Sequence, residues 1–183
     1  MKKRALVEMI EITDNVTDYN NILFKNTNFS NRDLDSFEFV DCTFMGCDFS
    51  MSKLSNAVLI RVKFLNCKLL GVDFSVCSSF AFSVSFDECI MNYILFHKND
   101  LRKTKFKTCQ IKEANFFETN LNSAKFENCD LSDTVFDRCD FSKVDFRTAS
   151  NYIINPNDNI IKKAQFSYPG LLGLLGGFDI EIE

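Results

Sequence analysis

A single five-residue register runs through most of this chain. Taking every fifth residue from Phe24 to Ser79, and again from Phe86 to Phe146, gives 25 positions, of which 24 are Phe, Leu, Ile or Met and one is Ser79. Fifteen of the chain's 21 Phe residues fall on it. Two residues before each centre, 20 of the 25 positions are Ala, Cys, Ser, Thr or Val; the exceptions are Ile22, Arg32, Phe37, Ile94 and Asn99. An amphipathic helix repeats every 3.6 residues and a half-buried strand every 2, so neither generates this register. A fixed short period is the signature of repeat architectures, in which each unit hides its apolar side only against its neighbours.

Segments such as Cys129-Asp130-Leu131-Ser132-Asp133 and Cys139-Asp140-Phe141-Ser142-Lys143 match the consensus A(D/N)LXX. From roughly Tyr19 to Arg147 the chain therefore resembles the pentapeptide-repeat proteins. That resemblance implies an all-β fold, a right-handed quadrilateral parallel β-helix with four pentapeptides per coil. Centre and small residue would both point inward. Residues 20 apart would then stack, and Phe24, Phe44, Phe64, Phe86, Phe106, Phe126 and Phe146 form such a column. Its one 22-residue step spans an irregular bulge at 77–85, which reads as two inserted residues. About six coils at ~4.8 Å each make a rod roughly 30 Å long. The expected organisation is an N-terminal cap (1–18), the β-helix (19–147) and a C-terminal cap and dimerisation element (148–183).

All eight Cys (42, 47, 67, 77, 89, 109, 129 and 139) occupy the small inward slot. Free Cys behaves there as a small buried hydrophobe, so packing is expected in place of disulfides or metal, with Cys47 to Cys129 forming one internal ladder. The lone His97 follows a repeat centre and should face outward. With no second His, neither a Cys–His pair nor a zinc site is expected. No phosphate-cradling glycine loop or nucleophile elbow occurs. The chain reads as a binding or structural protein with no catalytic residues, no metal and no cofactor. Its net charge of −4 argues against direct nucleic-acid binding. Glu8 and Glu11 interrupt any apolar signal-peptide core, and no stretch is apolar enough to span a bilayer, so a cytoplasmic location is expected.

Three irregular features are candidates for function. In the bulge, Phe80 and Phe82 leave the register and either fold back on the coil or meet a partner. Phe117 follows the centre Phe116 and should point outward beside Leu95 and Val135. After Phe146 the register ends by eye. Asn155-Pro156-Asn157-Asp158-Asn159 is a turn cluster, and Ser167 a plausible N-cap for a short helix that Gly176-Gly177 stops. Residues 178–183 alternate like an edge strand. Leu171, Leu172, Leu174 and Leu175, with Phe178 and Ile180, must cover the open end of the Phe stack, pair with a second chain, or both.

This tail is similar to the ends of the quinolone-resistance (Qnr) and microcin-immunity members. The resemblance implies a homodimer through the C-terminus, forming a rod of duplex-like width that occupies the DNA-binding saddle of DNA gyrase or topoisomerase IV and relieves topoisomerase poisons. Acidic stretches at 33–48 and 113–145 fit such mimicry, and Asp130, Asp133 and Asp140 are its candidate contacts. A basic belt (Lys98, Arg102, Lys103, Lys105, Lys107, Lys112) interrupts them, because a mimic competing by complementarity needs a mostly negative track. A scaffold or immunity protein with another protein partner is the alternative. Ten Asp or Asn precede repeat centres, where they suit corner turns. Deleting residues 80–85, which lie outside the register, is expected to leave stability nearly unchanged.

Overall fold

The computed structural model describes residues 7–9, 16–178 and 180–181 of the 183-residue chain. Each pentapeptide forms one side of a square coil. The centre and small residues face inward, and the residue two after the centre turns the corner with a left-handed backbone. Asn26, Asn31, Asp41, Asn56, Asn66 and most of their counterparts up to Lys143 have φ between 50° and 62°, and Gly46 and Gly71 have φ of 65°. Asn and Asp accept that region more readily than other L residues, which explains their frequency at the corners. The Asp or Asn before each centre supports the same turn. Asn28, Asp48, Asp73, Asp130 and Asp140 each accept, through Oδ1, the backbone N–H two residues on, at 2.8–3.2 Å.

Stacking pairs one coil with the next in parallel. The longest sheet orders β1 (Val7–Met9), β3 (Ile22–Lys25), β5 (Thr43–Met45), β7 (Val62–Leu65), β8 (Val84–Asp87), β10 (Lys105–Lys107) and β12 (Lys125–Glu127). A second joins β2 (Asp18–Asn20), β4 (Glu38–Val40) and β6 (Val58–Ile60), and a third β9 (Leu95–His97), β11 (Asn115–Phe117) and β13 (Val135–Asp137). Phe44 pairs with Phe64, Phe64 with Phe86, and Phe86 with Phe106. Column order thus survives the 22-residue step. We number the four faces by their centres: first Phe24, second Phe29, third Leu34, fourth Phe39.

The register does not end at Phe146. Ile160 bridges Asp140 and Gln165 bridges Asp145, and the Phe166 ring stacks on Phe146 with centroids 5.5 Å apart. Two repeats are hard to see in the sequence because Tyr152 and Ile154 fill the core out of register. Asn159 takes a small slot, where its amide donates to the Phe136 carbonyl at 3.1 Å and accepts from the Cys139 N–H at 2.9 Å. In place of an α-helix, Pro169–Leu174 forms a 3-10 helix, and the Ser167 hydroxyl accepts the Gly170 N–H at 3.2 Å. It lies so close to Tyr152 that a Cβ on Gly173 would sit 2.2 Å from the Tyr152 carbonyl oxygen. The edge-strand reading of 178–183 falls partly outside the described residues, and Ile180 and Glu181 are not in a strand. Most of residues 1–18 also lies outside them.

Seven cysteines are buried and Cys77 is half-buried; all eight are free thiols. The seven buried sulfurs each sit near a backbone carbonyl; Cys67 Sγ is 3.4 Å from those of Phe44 and Leu65. Burial pushes the Cys77 thiol up to about 12 and the Cys139 thiol up to about 11. The adjoining Cys67 sulfur, then burial, raise the Cys47 thiol as well, in keeping with the ladder.

Candidate interaction surfaces

The bulge separates its two phenylalanines. Ser78 N–H pairs with the Ala57 carbonyl and Ser83 N–H with that of Leu59, so the loop crosses the fourth face one coil above Leu59. Phe80 is 72% exposed at its crest. Phe82 is only 8% exposed and packs edge-on to Phe74 at 6.5 Å. It fills the centre slot that Ser79 leaves empty. Phe82 is thus corrected from a candidate contact to a core residue, because an empty slot in a Phe stack draws in the nearest large apolar side chain. The expectation that deleting 80–85 spares stability falls with it.

The three candidate acids do not form one patch. Asp130 continues the second-face column Ile90–Gln110–Asp130–Ser150, whereas Asp140 lies in Asp100–Asn120–Asp140–Ile160 on the fourth. Ten residues is half a coil, so they occupy opposite faces. Asp133 turns the corner between the second and third faces and is exposed. Asp130 is already engaged, with Lys112 Nζ 2.8 Å away and hydrogen bonds from Ser132 and Asn151. Burial raises its carboxyl, but these partners outweigh that and hold it well below the usual range.

The basic belt is likewise divided. Lys98 pairs with Glu118, Arg102 with Asp100, Lys107 with Asp87 and Lys112 with Asp130. These side chains are internal crosslinks between coils or turn braces. Among the described residues Lys103 and Lys105 have no such pairs.

His97 and Phe117 face outward from the third face, as expected. The His97 Nε2 is 3.1 Å from Asn115 Oδ1, and its ring meets Phe117 edge-on at 5.9 Å. The Arg138 guanidinium lies 4.9 Å from the centre of the Phe117 ring. Phe117 is half-covered by these neighbours. Among the described residues no cluster of three or more His, Cys, Asp or Glu has metal-binding geometry, and no helix is long and apolar enough to cross a membrane.

At the C-terminal end Leu174 packs on the core, while Leu171, Leu172 and Leu175 are exposed, with Phe178 and Ile180. Ile153 and Tyr168 add to the same end. The 3-10 helix covers Tyr152 with its glycine side and turns Leu171 and Leu172 to solvent.

Residues 79–151 match the family model described as "Pentapeptide repeat region", and 23–59 and 39–75 match "Pentapeptide repeats (8 copies)". A trypsin-treated QnrB1, titled a plasmid-mediated fluoroquinolone resistance protein, superposes with TM-score 0.56 at 20% identity, covering 98% of this chain and 97% of its own. HetL from Nostoc sp. strain PCC 7120, titled a pentapeptide repeat protein involved in heterocyst differentiation regulation, aligns over 82% of this chain and 90% of its own at 13% identity and TM-score 0.34. No curated protein matches by sequence.

Proposed function

The chain belongs to the pentapeptide-repeat family, and from that premise we propose that it is a DNA-mimicking binding rod, not an enzyme, that occupies the DNA-binding surface of DNA gyrase or topoisomerase IV. It would thereby protect the enzyme from poisons such as quinolones or microcin. The observation that carries this reading is the end-to-end likeness to a fluoroquinolone resistance protein, with both chains covered almost completely. A four-sided rod with a net charge of −4 and exposed acids such as Asp133 supports it, because mimicry requires shape and negative charge together. The exposed leucines of the 3-10 helix support a homodimer joined through residues 148–183, a two-fold contact of one patch with itself. In this reading the rod contacts protein and neither nucleic acid nor membrane, within the cytoplasm.

The test is poison-stabilised DNA cleavage by purified gyrase and by topoisomerase IV across a titration of the folded protein. Reduced cleavage at protein levels that still permit supercoiling is expected. No effect on either enzyme, nor any binding, would leave a scaffold or immunity protein with a different protein partner. That second reading draws support from the unpaired lysines of the belt, which a basic DNA-binding surface would repel.

A further inference from the structure

Coiling gathers lysines that the sequence scatters. Lys103, Ser123, Lys143 and Lys163 turn the corner between the fourth and first faces in successive coils, with φ of 61°, 61°, 61° and 59°. The backbone joins them in order, Lys103 N–H reaching the Asn122 carbonyl, Ser123 that of Ser142 and Lys143 that of Lys162. On the adjoining first face Lys105 stands directly opposite Lys125. Lys162 precedes the last corner. None of these six lysines has a carboxylate within ion-pairing distance among the described residues.

Another corner shows that such stacking is not forced by the fold. Between the third and fourth faces, Lys98, Glu118 and Arg138 alternate in sign, and both cations pair with Glu118. Like charges directly opposite across a strand pair are destabilising, so the lysine edge carries a repulsion that is eased only where Asp145 stands opposite Lys125. On the diagonally opposite corner Glu113 and Asp133 are exposed. These two corners of the C-terminal half therefore differ in sign.

We propose that the edge bearing Lys103, Lys105, Lys125, Lys143, Lys162 and Lys163 is a docking surface for an acidic helical segment of a partner protein, separate from the acidic side that would face a DNA-binding enzyme. From Lys103 to Lys163 is three coils, about 15 Å, the length of a helix of about ten residues. Carboxylates three or four residues apart on such a helix recur at about 5–6 Å, close to the ~4.8 Å rise of one coil. Phe80 stands on the same side at the foot of the edge, one coil below Lys103, where Phe82 adjoins Asp100, Arg102 and Lys103. It supplies an aromatic anchor of the kind that dominates protein interfaces. A single nucleic-acid strand fits less well: no exposed aromatics are interleaved along the lysines to stack bases.

The experiment titrates the full chain into a fluorescent Glu/Ala/Leu helical peptide of about 12 residues, its Glu on one face, and in parallel into a DNA duplex. Saturable peptide binding is expected, about tenfold weaker in Lys103→Glu/Lys143→Glu and in Lys105→Glu/Lys125→Glu, chiefly through association rate. Phe80→Ala should weaken it too, whereas Glu113→Lys/Asp133→Lys should not. The melting temperature of each variant confirms folding. Equal losses on both corners, no peptide binding, or tighter binding to the duplex would each overturn the proposal. Because no topoisomerase enters the assay, its outcome is separate from that of the cleavage test.

Discussion

The rings of Phe106 and Phe126 stack with centroids 4.7 Å apart and planes 2° from parallel. Phe86 lies on the other side of Phe106 at 5.3 Å. Shrinking a side chain held between two fixed coils leaves a hole that cannot collapse, since each coil is pinned by backbone pairing to its neighbours. Phe106→Ala should therefore cost about 3–5 kcal/mol in denaturant melts. A cost under about 1 kcal/mol, the range of tolerated core swaps, would contradict the stack.

Phe80 and Phe82 should separate cleanly by mutation. Phe82→Ala empties a buried slot and is expected to lower stability by about 3 kcal/mol. Phe80→Ala removes an exposed ring and should leave the melting temperature nearly unchanged. The two are compared by thermal melts of the purified variants; equal effects would mean that Phe82 does not fill the Ser79 position.

The thiols should be inert in the native protein, because the thiolate is the reactive form and burial disfavours it. The raised values of Cys77 and Cys139 also set a pH dependence. Above the ordinary thiol range the unfolded chain releases protons that the folded chain still holds at Cys139 and Cys77, with folded values of about 11 and 12. The stability these thiols contribute is complete below the unfolded value and declines as pH rises toward the folded ones. Melting temperature should fall over that alkaline interval, and Cys139→Ala should flatten the fall. Labelling before and after denaturation checks the first claim, and fast native labelling of several thiols would refute it.

Association should depend on the exposed C-terminal leucines. The wild-type chain is expected to sediment as a dimer at micromolar concentration. Leu172→Glu/Phe178→Glu should yield a folded monomer, since a charge placed in a closing apolar patch is left unpaired. A wild-type monomer would end the dimer reading, and a dimeric double variant would move the contact elsewhere.

The sequence by itself determined the coil. A strict period of five, large apolar centres and small partners admit one economical packing, so the Phe columns and the inward cysteines were legible without coordinates. Asp and Asn before the centres were legible as turn formers for the same local reason. What it concealed was whatever depends on neighbours 20 residues away. The bulge hid that Phe82 replaces Ser79, because a side chain out of register can still reach an empty slot. Asn159, Ile161 and Phe166 continue the core past Phe146, and the signal fails there since Tyr152 and Ile154 pack from other positions. Charge was the most altered. Asp130 and Asp140 look like one acidic run in the chain but lie on opposite faces, and four of the six cations in the apparent belt at 98–112 are consumed by ion pairs with Asp87, Asp100, Glu118 and Asp130. Pairing between side chains is a property of the coil, which brings residues 20 apart within about 5 Å and sets those ten apart on opposite sides. That spacing, and not the order of residues, decides which charges cancel and which face a partner.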